Sequence, residues 1–201
     1  MSNTMKHKYN LLQNELGEAR VKLNESLHYH TGRKLDVLAD AFYIATNQKE
    51  LQQVLDLCFE LNIPYKLLGY DTIEPPKKGK NIECLVIKNR THIIKISGIK
   101  GKFVIGSMGI DQVLLEVDSG VSLAELRDYF VKGKLVEPIF TSDEKMTFGE
   151  VLPTEFGVQG MIETIKIWEK GIVEEVTILE YNPKKHVALS AVLRVKSKQI
   201  L

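Results

Sequence analysis

Three groups of residues have types and spacings that could do chemistry. Lys77, Lys78 and Lys80 crowd around Gly79, and ammonium groups beside a strand end can hold a phosphate. Phosphate cradles also use glycines, so that backbone N–H groups approach the oxygens closely. After Gly69 this loop offers Tyr70, Asp71 and Thr72 instead. The lysine run, entered through Pro75-Pro76, therefore reads as a solvated charged turn. His28 and His30 stand two apart, which on a strand would place both on one face, as some metal sites require. No third ligand stands nearby, so they read as two half-exposed side chains. Cys58 and Cys84 lack metal-ligand spacing and read as buried thiols in a reducing cytoplasm. No metal ligand set and no catalytic residue emerges.

The elements that would position such groups are clearest over Ala39–Gly69, which predicts strand, helix, strand. Phe42 and Ile44 lie in a short apolar run suited to a buried strand. Asn47 is a helix N-cap, with Glu50 placed to reach back and complete the cap. Leu51, Val54, Leu55, Cys58 and Leu61 then form one apolar helical stripe. Asn62 closes the helix, and Pro64 restarts the chain as the strand Tyr65–Leu68. The two strands are expected to be parallel neighbours, with a ligand-binding loop at the carboxyl end after Gly69. Upstream, Tyr9, Leu12 and Leu16 mark a helix.

The second half is β-rich. Cys84–Lys88, His92–Ile96, Lys102–Gly106 and Val113–Asp118 read as short strands. Ser122 and Glu125 form a capping box opening the helix Leu123–Lys132, whose Leu123, Leu126 and Phe130 share a face and which Gly133 stops. Met161–Trp168 and Val173–Leu179 flank a hairpin turn at Glu169-Lys170-Gly171. Val187, Leu189, Ala191, Leu193 and Val195 alternate as a last strand. Residues 137–157 show no periodicity.

At 201 residues and 44% hydrophobic, the chain can bury a real core. Lys+Arg 27 against Asp+Glu 26 leaves +1, which argues against a nucleic-acid partner. No apolar run is long enough to span a bilayer, so no membrane association is expected.

Several local strings, taken in order, resemble the UDP-N-acetylenolpyruvoylglucosamine reductase (MurB) family and, more broadly, the FAD-binding domain of the vanillyl-alcohol oxidase/PCMH superfamily. Asn24-Glu25-Ser26-Leu27 with His30-Thr31 is similar to the family's "NEPL…HTT" opening, and Lys49–Gly69 to its "EEL…NIP…LG" helix and strand. Val117–Leu123 resembles its "v.aG..l" corner, and Val187–Val195 its "ivLSa.f.L" closing strand. Thr147-Phe148-Gly149 resembles the start of the "T-I/V-G-G" cofactor loop, with Phe156-Gly157 supplying the glycine after it. The resemblance covers about residues 20–196 and implies an α+β, two-lobed PCMH-type fold. Its parts would be an N-terminal extension (1–23), a βαβ lobe (24–90), a mixed-sheet lobe (91–196) and a tail (197–201). The cofactor positions it implies are Gly69, Tyr70, Asp71, Thr147, Gly149 and Gly157.

The departures carry as much information. The "G-x-G-S-N" pyrophosphate loop would fall at Gly69–Ile73, where only Gly69 remains and Asp71 adds a carboxylate. "GG-P-A" would fall at Asp36–Ala39, with both glycines replaced. The second glycine of "T-x-G-G" is Glu150. "Y-R-x-S" would fall at Tyr181-Asn182-Pro183-Lys184, without the family's substrate arginine. The family's substrate domain, with its proton-donating serine and distal acid, would begin where the chain ends. A carboxylate repels a diphosphate and a β-carbon blocks close backbone approach. The resulting expectation is a cytoplasmic scaffold of a peptidoglycan-precursor reductase that has lost catalysis. It would bind FAD weakly or not at all and act as a binding or regulatory module, with a protein partner or as a homo-oligomer. The alternative is an FAD oxidoreductase subunit completed by a partner chain. A general phosphate- or nucleotide-sugar-binding protein rests on fold analogy alone.

Overall fold

The computed structural model describes residues 3–32, 34–69, 81–104 and 107–198, with backbone alone over 100–104 and 107–111. The fold is α+β, and the chain divides into two compact units, residues 1–90 and 91–201. Among the described residues, no helix is long and apolar enough to cross a membrane.

The first unit opens with α1 (Asn3–Leu16), which buries Tyr9, Leu12 and Leu16. Strands β1 (Lys22–Ser26), β2 (Leu38–Ala45), β3 (Tyr65–Leu68) and β4 (Ile82–Asn89) form a sheet in the order β1-β2-β4-β3. Helix α2 (Gln48–Glu60) packs against β2 and buries Leu51, Val54, Leu55 and Cys58, the stripe the spacing predicts. Leu61 becomes the C-cap, and Asn62 takes φ 50°, a left-handed conformation that asparagine tolerates. The expected adjacency of the first two parallel strands does not hold. Strand β4 lies between β2 and β3 and is parallel to both. Its run Leu85-Val86-Ile87 is buried throughout, which suits a central strand, whereas β3 has only Leu68 buried.

The cap of α2 also differs from expectation. The Asn47 side chain accepts from the Glu50 N–H at 3.0 Å, but the Glu50 carboxylate reaches past Asn47 to the N–H and hydroxyl of Thr46, both at 2.9 Å. It also pairs with Arg20 at 2.9 Å. The Arg20 contact, helped by Thr46, outweighs partial burial and holds the Glu50 carboxyl down at about 2. Its folded value lies below the ordinary 4.5, so its contribution is full above 4.5 and is lost as pH falls toward 2. Urea midpoints measured across that window should fall more steeply for the parent than for Glu50→Gln. Equal slopes would show that the pair contributes nothing.

In the second unit, β5 (Ile94–Val104), β6 (Ser107–Asp118), β7 (Ile162–Glu169), β8 (Ile172–Val176) and β9 (Val187–Lys196) form a sheet in the order β5-β6-β9-β7-β8. Neighbours are antiparallel. The two short strands read at 92–96 and 102–106 fall, over their described residues 94–96 and 102–104, in one strand, β5. Irregular steps at Ile96/Gly98 and Lys100/Gly101 absorb the Ser97–Gly101 glycines that look like a turn in sequence. The β7–β8 hairpin turns at Lys170 (φ 50°) and Gly171 (φ 84°), the two positive φ angles of a type I′ turn. Strand β8 stops at Val176, short of the expected Leu179, because Thr177 and Glu180 close a capped turn. Helix α3 (Leu123–Lys132) starts on the predicted Ser122/Glu125 capping box. Its Leu123, Leu126 and Phe130 join the core with Val117, Ile165 and Leu193. Gly133 caps it with right-handed geometry, and Lys134 takes the positive φ. The unpatterned 137–157 stretch holds one single-turn helix, α4 (Phe148–Val151), and the start of a second, α5 (Phe156–Gln159).

Candidate functional site

In the first unit, Gly69 is buried at the carboxyl end of β3, where open α/β sheets offer ligand sites. Tyr70, Asp71 and the Lys77–Lys80 run lie outside the described residues. Around the family's opening string, Leu27–Tyr29 is a short 3-10 helix, so His28 and His30 are not placed side by side on a strand. His30 stacks on Phe42 with ring centres 4.1 Å apart, and its Nε2 lies 2.9 Å from Glu25. The His30 contact is the main cause holding the Glu25 carboxyl below its usual range. Among the described residues, no group of three His, Cys, Asp or Glu side chains could hold a metal. Burial pushes the Cys58 thiol up to about 12 and Cys84 up to about 11, so both stay as thiols at neutral pH. Val37, standing where the family has a glycine, packs into a cluster with Leu27, Phe42 and Val86, and its carbonyl accepts from the Leu27 N–H.

In the second unit, the loop resembling the cofactor loop is fully engaged by protein. The Thr147 N–H and hydroxyl both donate to the Glu150 carboxylate, at 2.6 and 2.8 Å. The Phe148 N–H donates to the Val121 carbonyl and the Gly149 N–H to the Ser119 carbonyl, each at 2.7 Å. The Glu150 N–H donates to the Thr147 carbonyl at 3.0 Å. All four N–H groups of residues 147–150 thus end on protein oxygens. The start of α3 is occupied in the same way. The N–H groups of Leu123 and Ala124 donate to the Met146 and Glu144 carbonyls, and that of Glu125 to the Ser122 hydroxyl. Neither terminus leaves these donors for an anion.

The two remaining glycines have packing reasons of their own. A β-carbon on Gly149 would stand 2.9 Å from the Ser119 β-carbon and 3.0 Å from its carbonyl oxygen. One on Gly157 would meet the Ile139 carbonyl oxygen at 2.5 Å. Both glycines therefore let two backbone segments touch. The residue that fixes the second contact was not singled out in the sequence. Glu155, 2% exposed, accepts from the N–H groups of Thr141 and Ser142 and from both hydroxyls. Burial would raise its carboxyl, and these hydrogen bonds reverse that, leaving it below the ordinary glutamate value. Its signal lay in an acid among Thr, Ser and Gly, a pattern too common to single out. Where the family has its arginine, Asn182 instead builds a turn. Its N–H donates to His186 Nδ1 at 3.1 Å, and its side-chain oxygen accepts from Lys184.

Comparison with known proteins agrees with this architecture. No family model matches the chain. It is 35% identical over 97 residues to UDP-N-acetylenolpyruvoylglucosamine reductase 2 of Bacillus cereus, covering 48% of this chain and 26% of the relative. The Bacillus anthracis protein of the same name is 34% identical over 97 residues, with the same coverage. These matches thus span about a quarter of the length of the curated relatives. Among solved structures, p-cresol methylhydroxylase superposes with TM-score 0.63 at 12% identity, covering 100% of this chain and 45% of that one. Alkyldihydroxyacetonephosphate synthase gives 0.64 at 14%, covering 98% and 44%. The chain is therefore similar to the MurB reductases over half its length and has the fold of the PCMH-type FAD-binding domain.

Proposed function

We propose that this chain is a MurB-like FAD-domain scaffold that has lost tight FAD binding and catalysis and acts as a binding or regulatory module. The observation that supports it is the 147–150 loop, whose four N–H groups all end on protein acceptors, with Glu150 where the family has a glycine. Binding a diphosphate there would break these bonds and set it against a carboxylate. At about 4 Å and an effective dielectric of about 20, that repulsion costs about 4 kcal/mol. A micromolar affinity amounts to about 8 kcal/mol, so half of it would be lost. Exposed lysine contacts, at only about 0–1 kcal/mol each, would not restore it. The residues of this loop do not fit an anchored diphosphate.

Alone, the chain should have no reductase activity on the enolpyruvyl nucleotide sugar. It should purify colourless from riboflavin-fed cells and give no saturable heat on titration with FAD. A stoichiometric yellow preparation, or tight binding by calorimetry, would overturn this reading. The second reading, an FAD oxidoreductase subunit completed by a partner chain, is favoured by the two-sheet fold and the buried Gly69. A gain in FAD affinity in the double variant Asp71→Gly, Glu150→Gly would locate the defect in these two acids.

A further inference from the structure

We infer that the chain self-associates head to tail, the β8 edge of one copy pairing with the β5 edge of the next. The five-stranded sheet ends in β5 on one side and β8 on the other. Sheet edges carry main-chain N–H and C=O groups that can template a further strand. Proteins blunt such edges with charge, and here the two edges carry opposite signs. The sequence of β5, IKISGIKGKFV, holds three lysines and no acid, while that of β8, IVEEV, holds two glutamates and no base. Both also expose apolar side chains: Ile96 at 52% and Ile99 at 57% on β5, and Ile172 at 63% on β8. Lys95 contacts Glu116 at 3.0 Å yet keeps over half of its side chain in solvent. Glu174 and Glu175 are exposed.

The signs decide the occupant. A β5–β5 contact sets lysines against lysines, and a β8–β8 contact sets glutamates against glutamates. Both are penalised by like-charge juxtaposition. Only β8 on β5 joins acid to base while covering isoleucine with isoleucine. Such a contact uses different patches on the two copies, so each copy keeps one unused edge of each sign. Growth then continues into a ring or an open filament rather than stopping at a dimer. The inference does not depend on whether flavin binds, because neither edge strand contributes a residue to the 147–150 loop.

Sedimentation of the full chain over a wide concentration range should show a mass that grows past the dimer in about 0.1 M salt. It should fall toward the monomer in about 1 M salt, where screening shortens from about 10 Å to about 3 Å. Lys95→Glu puts an acid into the basic edge and Glu174→Lys a base into the acidic edge, so each weakens the charge complementarity of the contact. Each variant alone should associate about tenfold more weakly or worse, and an equal mixture should regain the parent's association. Circular dichroism checks that each variant folds, and Glu175→Lys replaces Glu174→Lys if that variant does not. A chain that stays monomeric throughout, a closed dimer insensitive to salt, or a mixture that fails to recover would each overturn the inference.

Discussion

Leu55→Ala should lower stability by about 2–5 kcal/mol, as cavity-forming substitutions in cores do. Leu55 is fully buried on α2, with Leu51, Val54 and Cys58 on the same stripe, and the helix packs against β2. Removing three side-chain carbons there leaves a void that close-packed neighbours fill only in part. Gln53, exposed on the same helix, supplies the control, and Gln53→Ala should stay within about 0.5 kcal/mol of the parent. Urea unfolding followed by far-ultraviolet dichroism reads both. If the two variants are indistinguishable, α2 does not present the face described.

Gly157→Ala should cost about 1–3 kcal/mol or more, the range for forcing extra volume into a packed site. The added methyl would stand 2.5 Å from the Ile139 carbonyl oxygen, closer than real β-carbons approach. The obstructing atom is backbone, and the next residues, Thr141 and Ser142, are tied to buried Glu155, so it cannot swing away. Gly160, two residues beyond Val158, has nothing within 4 Å of its built β-carbon and ordinary right-handed φ of −67°. Gly160→Ala should therefore be neutral or stabilising by about 0.4–1 kcal/mol, through the unfolded chain. Thermal unfolding followed by Trp168 fluorescence separates the two. Equal melting temperatures would show that the 139–157 contact is loose.

The contrast between these glycines explains which parts of the molecule were legible. Periodicity found α2, α3 and β9, because a stripe at 3.6 or 2 residues records which face is buried. Local caps found Asn47, Ser122 and the Lys170-Gly171 turn for the same reason: their partners lie within three residues. Sequence order did not place β4 between β2 and β3, since that pairing is set by which strand is buried on both faces. Nor did it separate turn glycines from bulge glycines along β5, because both sit in the same Gly/Ser-rich composition. At the candidate site, the resemblance pointed to Thr147, Gly149 and Gly157, and the structure brings all three into the second unit's loop region. It could not show that Gly149 and Gly157 serve backbone contacts, or that Glu150 closes on Thr147. The two glycine contacts depend on Ser119 and Ile139, thirty and eighteen residues away in the chain, whereas the Thr147–Glu150 closure is local, a T-x-x-E spacing that the resemblance to a glycine loop obscured.

The order β1-β2-β4-β3 has a bearing on how the polypeptide leaves the ribosome. Among the described residues, strand β3 has one neighbour in its sheet, β4, and Tyr65 pairs with Leu85. Twenty residues must therefore be added before that partner exists. At about 5–20 residues per second, that delay is about 1–4 s. Helix α2, already complete, can dock on β2 during that pause and keep its apolar stripe from chaperones. β3 must meanwhile wait as an unpaired segment. Slowing translation across the codons for residues 70–80 would lengthen that wait, which makes this interval the vulnerable moment in the birth of the 1–90 unit.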